Sequence, residues 1–197
     1  MKKIGIFGGT FNPPHIGHIN AVEQFNKFFC LDKIFIIPSG ISPHKSVKGN
    51  VNSQDRLNMT KLAFPNYEVL DFEIKKQGIS YTYDTLTYLK EQYTNAKLYL
   101  LIGSDMFMTF DLWYKPMEIC SLCSIVVLSR GNNDFNSIKA QKDFIDLKYS
   151  TDVKVLNITP IELSSTELRD EINNKIDINY EIPEKVMEYI KEKGLYI

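Results

Sequence analysis

Basic runs and long apolar runs are both missing from this sequence. Lys and Arg total 23 against 24 Asp and Glu, and no five basic residues follow one another. The chain therefore lacks the electrostatic footprint of a nucleic-acid-binding protein, and we expect no nucleic-acid partner. The apolar run after the first lysines is too short for the core of a signal peptide, and no later run approaches the length of a membrane span. These absences predict a cytoplasmic protein with no membrane partner.

Cysteine is also scarce. The chain has 3 cysteines, and an odd number in a chain of this size does not indicate a disulfide framework. Cys120 and Cys123 have the CxxC spacing of metal and redox sites, but there is no second CxxC and the three histidines lie far upstream. We therefore interpret both as small hydrophobic residues that lead into a strand. A metal or redox role is the alternative.

The length and the apolar content are sufficient for a substantial core. At 197 residues and 44% hydrophobic content, the chain can form one well-cored domain. We assign residues 1–197 to that domain, with a C-terminal helical part at 164–197.

Strand and helix patterns alternate along the chain. Buried-strand patterns at 4–7 and 33–38 enclose a helical pattern at 20–29, which predicts a right-handed βαβ unit with parallel strands. The fold class is therefore α/β. Further strands are predicted at 67–74, 97–102, 124–129 and 153–161, and further helices at 53–64 with Ser53 as N-cap, at 138–147 and at 183–193.

The segment at 4–20 carries the strongest functional pattern. A strand pattern breaks at Gly8-Gly9, where backbone can approach a ligand closely. Pro13-Pro14 cannot be helical, so the next helix has to begin at about residue 15 to 17. His15 and His18 then share one face of its first turn, beside backbone N–H groups and the positive end of the helix dipole. This arrangement suits a phosphate anion, and the alternative is a glycine-rich turn with one helix-capping histidine.

A second helix start with anion-binding side chains is predicted near the C-terminus. Ser164 and Glu167 match a capping box, in which each side chain bonds the backbone of the other residue. The hydroxyls of Ser165 and Thr166 and the guanidinium of Arg169 then lie at a helix N-terminus, where a phosphate is favoured. We expect the helix starts near residues 17 and 165 to converge on a single chain of phosphates.

Four further residues occupy predicted ligand-facing positions. Lys45 lies in a long polar loop at 39–52, from which it can reach a phosphate chain. Thr85 lies in the first turn of a helix that Thr82 can cap. Asp105 follows a central strand, where a carboxylate can bind ribose hydroxyls or merely cap a helix. Trp113 lies between helical segments and can stack on a planar ring or pack in the core.

Four segments together carry a family resemblance. GGTFNPPHIGH resembles the T/HxGH signature of the nucleotidyltransferase superfamily. SSTELR resembles a second motif that is shared across that superfamily. SYTYDTL and the stretch from GSD to WYK resemble the bacterial nicotinate-nucleotide adenylyltransferase family, so the resemblance covers nearly the whole chain. It implies a Rossmann-like, doubly wound parallel sheet flanked by helices. It also implies transfer of AMP from ATP to nicotinate mononucleotide, which yields nicotinic acid adenine dinucleotide and pyrophosphate in NAD biosynthesis.

The resemblance implies roles for individual residues as well. Mg²⁺ is implied as bound through the ATP phosphates, with no protein residue as metal ligand, and a homo-oligomer is compatible with the family. The sequence departs from the family pattern at two positions. Asn12 stands where Asp is common in the superfamily, and Arg130 is followed by Gly where Pro is expected. The implied catalytic residues are His15, His18, Lys45 and Arg169; those for ATP are Gly8, Gly9, Thr10, Phe11, Gly17, Gly103, Asp105, Ser164, Ser165 and Thr166; those for the acceptor are Thr85, Trp113, Tyr114 and Arg130.

Three other functions are alternatives to this one. A phosphopantetheine adenylyltransferase or another small-acceptor nucleotidyltransferase would not explain the Trp113-Tyr114 pair. A non-enzymatic ATP or NAD sensor could dispense with the two histidines and with Arg169. A zinc protein that uses His15, His18 and His44 would lack an evident carboxylate to orient its imidazoles.

Overall fold

A computed structural model describes residues 1–41, 50–76, 78–129, 135–158, 161, 163–176, 178 and 180–197. Its strands form a six-stranded sheet in the order β3-β2-β1-β4-β5-β6. The neighbouring pairs β1/β4, β4/β5 and β5/β6 are parallel. The bounds are Lys2–Gly9 for β1, Lys33–Pro38 for β2, Glu68–Val69 for β3, Ala96–Gly103 for β4, Cys123–Ser129 for β5 and Lys154–Asn157 for β6.

This strand order is that of a doubly wound sheet. The chain starts at a central strand, builds outward through β2 and β3, and returns to the other side of β1 to build outward through β4, β5 and β6. The order reverses beside β1, and in open α/β sheets ligands bind outside the carboxyl ends of the strands at such a reversal. The predicted α/β, Rossmann-like doubly wound fold is therefore confirmed.

Helices connect the strands. No helix in the described ranges is both long and apolar enough to cross a membrane. A short 3₁₀ turn covers Phe110–Leu112. The α-helices are α1 (Ile16–Phe29), α2 (Ser53–Ala63), α3 (Phe72–Lys75), α4 (Thr82–Gln92), α5 (Ser104–Phe107), α6 (Pro116–Leu122), α7 (Phe135–Tyr149), α8 (Ser165–Asn173) and α9 (Glu184–Lys193).

The chain divides into two compact units, each assembled from three segments. The first unit contains residues 1–7, 23–35 and 81–160, and the second contains residues 8–22, 36–80 and 161–197. A single domain over the whole chain stays a prediction.

Each unit has its own buried apolar residues. In the first unit β4 and β5 are buried along most of their length, and α4 packs against α6. In the second unit α2 packs against α9, and the side chains of Phe11 and Phe64 are each 1% exposed. Burial of aromatic rings of this size is a main source of stability for a unit this small.

Most predicted elements are confirmed, and α1 begins within the predicted interval, at Ile16. The strand β1 differs, because it continues through Gly8 and Gly9 instead of breaking there. The predicted strand at 67–74 is wrong beyond its first residues. Leu70 still donates its N–H to Ile36, but Lys75 then donates to the carbonyl of Asp71, which closes the turn of α3.

Helix caps account for three further corrections. Asn52, not Ser53, caps α2, because its side chain accepts from the N–H of Asp55 while the Asp55 carboxylate accepts from the N–H of Asn52. Thr82 is the first residue of α4 and not its cap. Ser164 does cap α8, but its hydroxyl accepts from the N–H of Thr166, so the capping box predicted with Glu167 is not formed.

Candidate active site

Residues 8–18, termed here the Gly-His loop, join β1 to the first turn of α1. Phe11 adopts a left-handed backbone (φ 49°) and buries its ring against His18 and Phe64, with ring centroids 5.2 and 5.8 Å away. A Cβ at Gly9 would lie 2.8 Å from the Phe11 ring, so only glycine fits there. The buried Phe11 ring thus packs against the backbone of the loop at Gly9 and restricts its conformation.

The rings of His15 and His18 lie side by side at the start of α1, tilted by 36° to each other. Their ring centroids are 3.7 Å apart, and the backbone N–H of His15 donates to Nδ1 of His18 over 3.3 Å. A ring that accepts at Nδ1 carries the proton of its neutral form on Nε2. A Cβ at Gly17 would lie 3.0 Å from the His15 ring, so any other residue there would crowd the histidine pair. The arrangement makes the Nε2–H of His18 a hydrogen-bond donor.

The start of α8 bonds directly to the Gly-His loop. The hydroxyl of Ser165 donates to the carbonyl of Pro13 over 2.9 Å, and Nη1 of Arg169 donates to the carbonyl of Asn12 over 2.8 Å. Nη2 of Arg169 donates to the hydroxyl of Thr166 over 3.0 Å. The start of α8 is therefore bonded to the segment that leads into α1, as expected for two helix starts that converge. Their convergence on a chain of phosphates stays a prediction, to which the imidazole, guanidinium and hydroxyl groups of the two segments are suited.

The C-terminal residues also bond to this loop, which the sequence did not predict. The phenol of Tyr196 is 6% exposed and donates to the side-chain oxygen of Asn12 over 2.7 Å. Burial raises the pKa of that phenol well above its ordinary value, so it stays a donor. Tyr196 and Asn12 are separated by 184 positions, and no local pattern links them.

In the first unit, the aromatic residues of two predicted segments meet. The ring of Tyr114 lies 4.6 Å from that of Tyr81 and 6.0 Å from that of Tyr83, and the ammonium of Lys115 lies 4.2 Å from the Tyr83 ring. Tyr81 and Tyr83 belong to SYTYDTL, and Tyr114 belongs to the stretch from GSD to WYK. A cation above an aromatic face is attracted by its quadrupole, so Lys115 strengthens this contact.

The other predicted site residues that are described in the first unit belong to the same two sequence segments. Thr85 lies in the first turn of α4, as predicted, and is 3% exposed. Trp113 follows the 3₁₀ turn, half-buried, with its ring centroid 5.3 Å from that of Phe110. Gly103 ends β4, and the exposed Asp105 is the second residue of α5, so it is not the N-cap that the sequence offered as an alternative.

Comparison with known proteins identifies the family. Residues 6–171 match the Cytidylyltransferase-like family. A probable nicotinate-nucleotide adenylyltransferase from Clostridium botulinum is 38% identical over 199 residues, an alignment that covers 100% of this chain and 98% of that protein. The chain belongs to the nicotinate-nucleotide adenylyltransferase family. A second family member, from Clostridium novyi, is 37% identical and is covered in full, as is this chain.

A solved structure of a more distant protein shares the fold. The Plasmodium falciparum nicotinic acid mononucleotide adenylyltransferase, solved in complex with NaAD, superimposes with a TM-score of 0.79 at 22% identity. The superposition covers 100% of this chain and 98% of that one. The family match thus extends from the motifs to the whole chain, and the resemblance inferred from the sequence is confirmed.

Lys45 and Arg130 lie outside the described residues. Their assigned roles in this family member stay predictions.

The CxxC pair has chemistry unlike that of a reactive site. Both cysteines are free, and Cys123 is the first residue of β5, where its thiol contacts the carbonyl of Ile119 over 3.4 Å. Burial raises the pKa of the Cys120 thiol to about 11 and raises that of Cys123 as well. Both thiols are therefore protonated at neutral pH and are poor nucleophiles.

Proposed function

We propose that this protein transfers AMP from ATP to nicotinate mononucleotide, with release of pyrophosphate and formation of nicotinic acid adenine dinucleotide. The observation that carries the proposal is the bonding of Ser165 and Arg169, at the start of α8, to the Gly-His loop that contains His15 and His18. Membership of the nicotinate-nucleotide adenylyltransferase family supports it.

The phosphates of ATP are proposed to bind the second unit. His15, His18 and Arg169 supply donors, and the backbone of Gly8, Gly9, Thr10, Phe11 and Gly17 together with Ser164, Ser165 and Thr166 lines the phosphate chain. Arg169 is already oriented by bonds to the carbonyls of Asn12 and Ser165. A guanidinium fixed in this way loses little freedom when it binds a phosphate oxygen. Gly103 and Asp105 of the first unit are proposed to meet the adenosine ribose, and Lys45 to reach the phosphate chain.

The acceptor is proposed to bind residues of the first unit. Trp113 presents a ring for stacking on the nicotinate, and Thr85 and the backbone of Tyr114 would bind its carboxylate. The packing of Tyr114 against Tyr81 and Tyr83 supports this proposal, because it ties the backbone of the WYK segment to the start of α4. Arg130 is proposed as a further acceptor contact.

Mg²⁺ is proposed to arrive with ATP. In the part of the chain that the structure describes, no group of three or more His, Cys, Asp or Glu residues could hold a metal ion. The guanidinium, imidazole and hydroxyl donors of the second unit suit phosphate oxygens, whereas Mg²⁺ prefers oxygen ligands. Phosphate-bound Mg²⁺ would neutralise part of the charge on the leaving pyrophosphate.

Little covalent chemistry is required of the protein. The phosphate of nicotinate mononucleotide is already a nucleophile, so its attack on the α-phosphorus of ATP needs no general base. Charge accumulates on the equatorial oxygens and on pyrophosphate as the P–O bond breaks. Donors held in place before the reaction stabilise that charge without reorganisation, and this is the role proposed for His18 and Arg169.

The proposal is tested by an acceptor profile. Pyrophosphate release from ATP is measured with nicotinate mononucleotide, nicotinamide mononucleotide, phosphopantetheine and glycerol phosphate in parallel. We expect the highest kcat/KM with nicotinate mononucleotide. Preference for phosphopantetheine or glycerol phosphate would refute the acceptor assignment and retain the transferase, and ATP binding without pyrophosphate release would indicate a sensor.

A further inference from the structure

Arg56 is a fully buried arginine in the second unit. It belongs to α2 and is 1% exposed. Nη1 donates to the carbonyl of Thr10 over 3.0 Å, and Nη2 donates to the carbonyl of Gly40 over 3.2 Å. One guanidinium therefore connects the Gly-His loop to the backbone that follows β2.

The charge of Arg56 is not neutralised by an ion pair within the described ranges. No carboxylate there lies within salt-bridge distance of its guanidinium, and Nε has no hydrogen-bond partner among the described residues. Burial lowers the pKa of Arg56, while Tyr196 and Glu73 raise it less. Burying a cation without a carboxylate costs stability, so a purely structural role would be served better by an apolar residue.

The two carbonyls that Arg56 binds belong to adjoining backbone. The N–H of Ser39 donates to the carbonyl of Gly9 over 2.9 Å, so the residues before Thr10 and Gly40 are already bonded to each other. A Cβ at Gly40 would lie 2.3 Å from the carbonyl oxygen of Glu73, so this backbone is closely packed and leaves no room for a side chain at position 40. The fork of Arg56 thus spans two fixed positions.

Fixing a carbonyl also orients the peptide to which it belongs. In a planar trans peptide the C=O and the following N–H point in opposite directions. Holding the Thr10 carbonyl toward Arg56 therefore directs the N–H of Phe11 away from it. Only a planar fork with two separated donors can reach both carbonyls at once.

We propose that Arg56 is a positioning residue for the nucleotide phosphates: its guanidinium sets the Thr10–Phe11 peptide of the Gly-His loop without touching the ligand. The inference rests on the proposed function of that loop. It predicts that the phosphate portion of the nucleotide depends on Arg56, while the nucleoside portion does not.

Equilibrium binding separates the two portions. Calorimetric titrations with inorganic pyrophosphate in the presence of Mg²⁺, and with adenosine, are compared for wild type and Arg56→Lys. The lysine retains the charge but cannot bridge both carbonyls. We expect pyrophosphate affinity to fall by about tenfold or more and adenosine affinity to stay within about twofold. Pyrophosphate affinity within about twofold of wild type would overturn the proposal.

Leu57→Ala is the matched control for lost stability. Leu57 is the next residue of α2 and is buried, but its side chain cannot bond either carbonyl. Titrations are run equally far below the melting temperature of each variant. We expect Leu57→Ala to bind pyrophosphate as wild type does. An equal loss in Leu57→Ala and Arg56→Lys would show that Arg56 acts through stability alone and would overturn the proposal.

A measurement on the wild-type protein covers the case in which Arg56→Lys does not fold. The chain has three arginines, Arg56, Arg130 and Arg169, so their Nε–H resonances can be resolved after ¹⁵N labelling. Added pyrophosphate should shift the Arg56 resonance with the same saturation curve as that of Arg169. A stationary Arg56 resonance at saturation would overturn the proposal.

The outcomes also separate this inference from the proposed function. If wild type transfers AMP to no acceptor but Arg56→Lys still loses pyrophosphate binding selectively, the positioning role stands and the proposed reaction fails. If wild type is active and Arg56→Lys binds pyrophosphate normally, the reaction stands and the positioning role fails.

Discussion

At the scale of single residues, orientation decides what a side chain can do. His18 shows this most clearly, because the N–H of His15 occupies Nδ1. The proton of the neutral ring is then on Nε2, and the neighbouring imidazole lies with its centroid 3.7 Å away. A spacing of three residues predicted the shared face of the two histidines, but the ring nitrogen of His18 that carries the proton follows only from the hydrogen bond.

His18→Ala is expected to lower kcat by about two orders of magnitude or more, because a fixed donor to the transition-state charge is lost. Two amide variants sharpen the test. His18→Gln retains a donor near the Nε2 position, whereas His18→Asn retains only an acceptor near Nδ1, so the glutamine variant should keep more turnover. Pyrophosphate release at saturating substrates measures kcat, and thermal unfolding verifies the fold. Near-normal turnover in His18→Ala, or equal loss in the two amide variants, would contradict the assignment.

Trp113→Ala is expected to raise the KM for nicotinate mononucleotide by several-fold to about tenfold, since a stacking contact contributes about 1 kcal/mol beyond buried area. The KM for ATP should change by less than about twofold. Trp113→Phe, which retains an aromatic face, is the control. Its KM for nicotinate mononucleotide should lie between those of wild type and Trp113→Ala. Initial-rate kinetics with each substrate varied in turn give both constants. A parallel rise in the KM for ATP would mean that the stacking role is misplaced.

At the scale of elements, helix starts carry most of the chemistry and most of the corrections. The hydrophobic periodicity located the helices but did not locate their caps. In α2 the reciprocal pair of Asn52 and Asp55 is formed one residue before the predicted cap. Periodicity is a property of the whole helix, whereas a cap depends on the backbone angles of a single residue.

Asn52→Ala tests this cap directly. Loss of the side-chain bond to the N–H of Asp55 should lower the free energy of unfolding by about 1 kcal/mol. The exposed Ser53 was the residue predicted from the sequence, and Ser53→Ala should change that free energy by less than about 0.5 kcal/mol. Urea unfolding of both variants and of wild type provides the comparison. A larger effect for Ser53→Ala than for Asn52→Ala would contradict the cap seen in the structure.

At the scale of the whole molecule, residues far apart in the chain hold the Gly-His loop. Tyr196 bonds Asn12 across 184 positions and Arg169 bonds the Asn12 carbonyl across 157. The loop is therefore supported by the C-terminal part of the second unit, including the residues that follow α9. Its geometry depends on residues that lie 157 and 184 positions away in the sequence.

The phenol of Tyr196 predicts a specific pH dependence of stability. Its folded pKa is raised by burial above the unfolded value of about 10, so the folded state retains the phenol proton to higher pH than the unfolded state does. That contribution is complete below about pH 10 and is lost as the pH rises toward the folded pKa, by up to about 1.4 kcal/mol per pH unit.

Tyr196→Phe removes both this titration and the bond to Asn12. At pH 7 it should lower the free energy of unfolding by about 1 kcal/mol. Above about pH 10 that deficit should shrink, because wild type loses stability at this position and the phenylalanine variant does not. Denaturant unfolding between about pH 7 and 11 measures the difference. A constant difference across the range would contradict the burial argument.

The sequence by itself determined the α/β class, the positions of most strands and helices, the shared face of His15 and His18, and the family. These features depend on chain periodicity and on the sterics of glycine and proline, which act between near neighbours. Only the tertiary structure decided that Arg56 is buried and bonds the Gly-His loop, that Tyr196 bonds Asn12, and that residues 72–75 form a helix. Those outcomes depend on packing between distant segments, where burial and the need to satisfy buried polar groups override local preference.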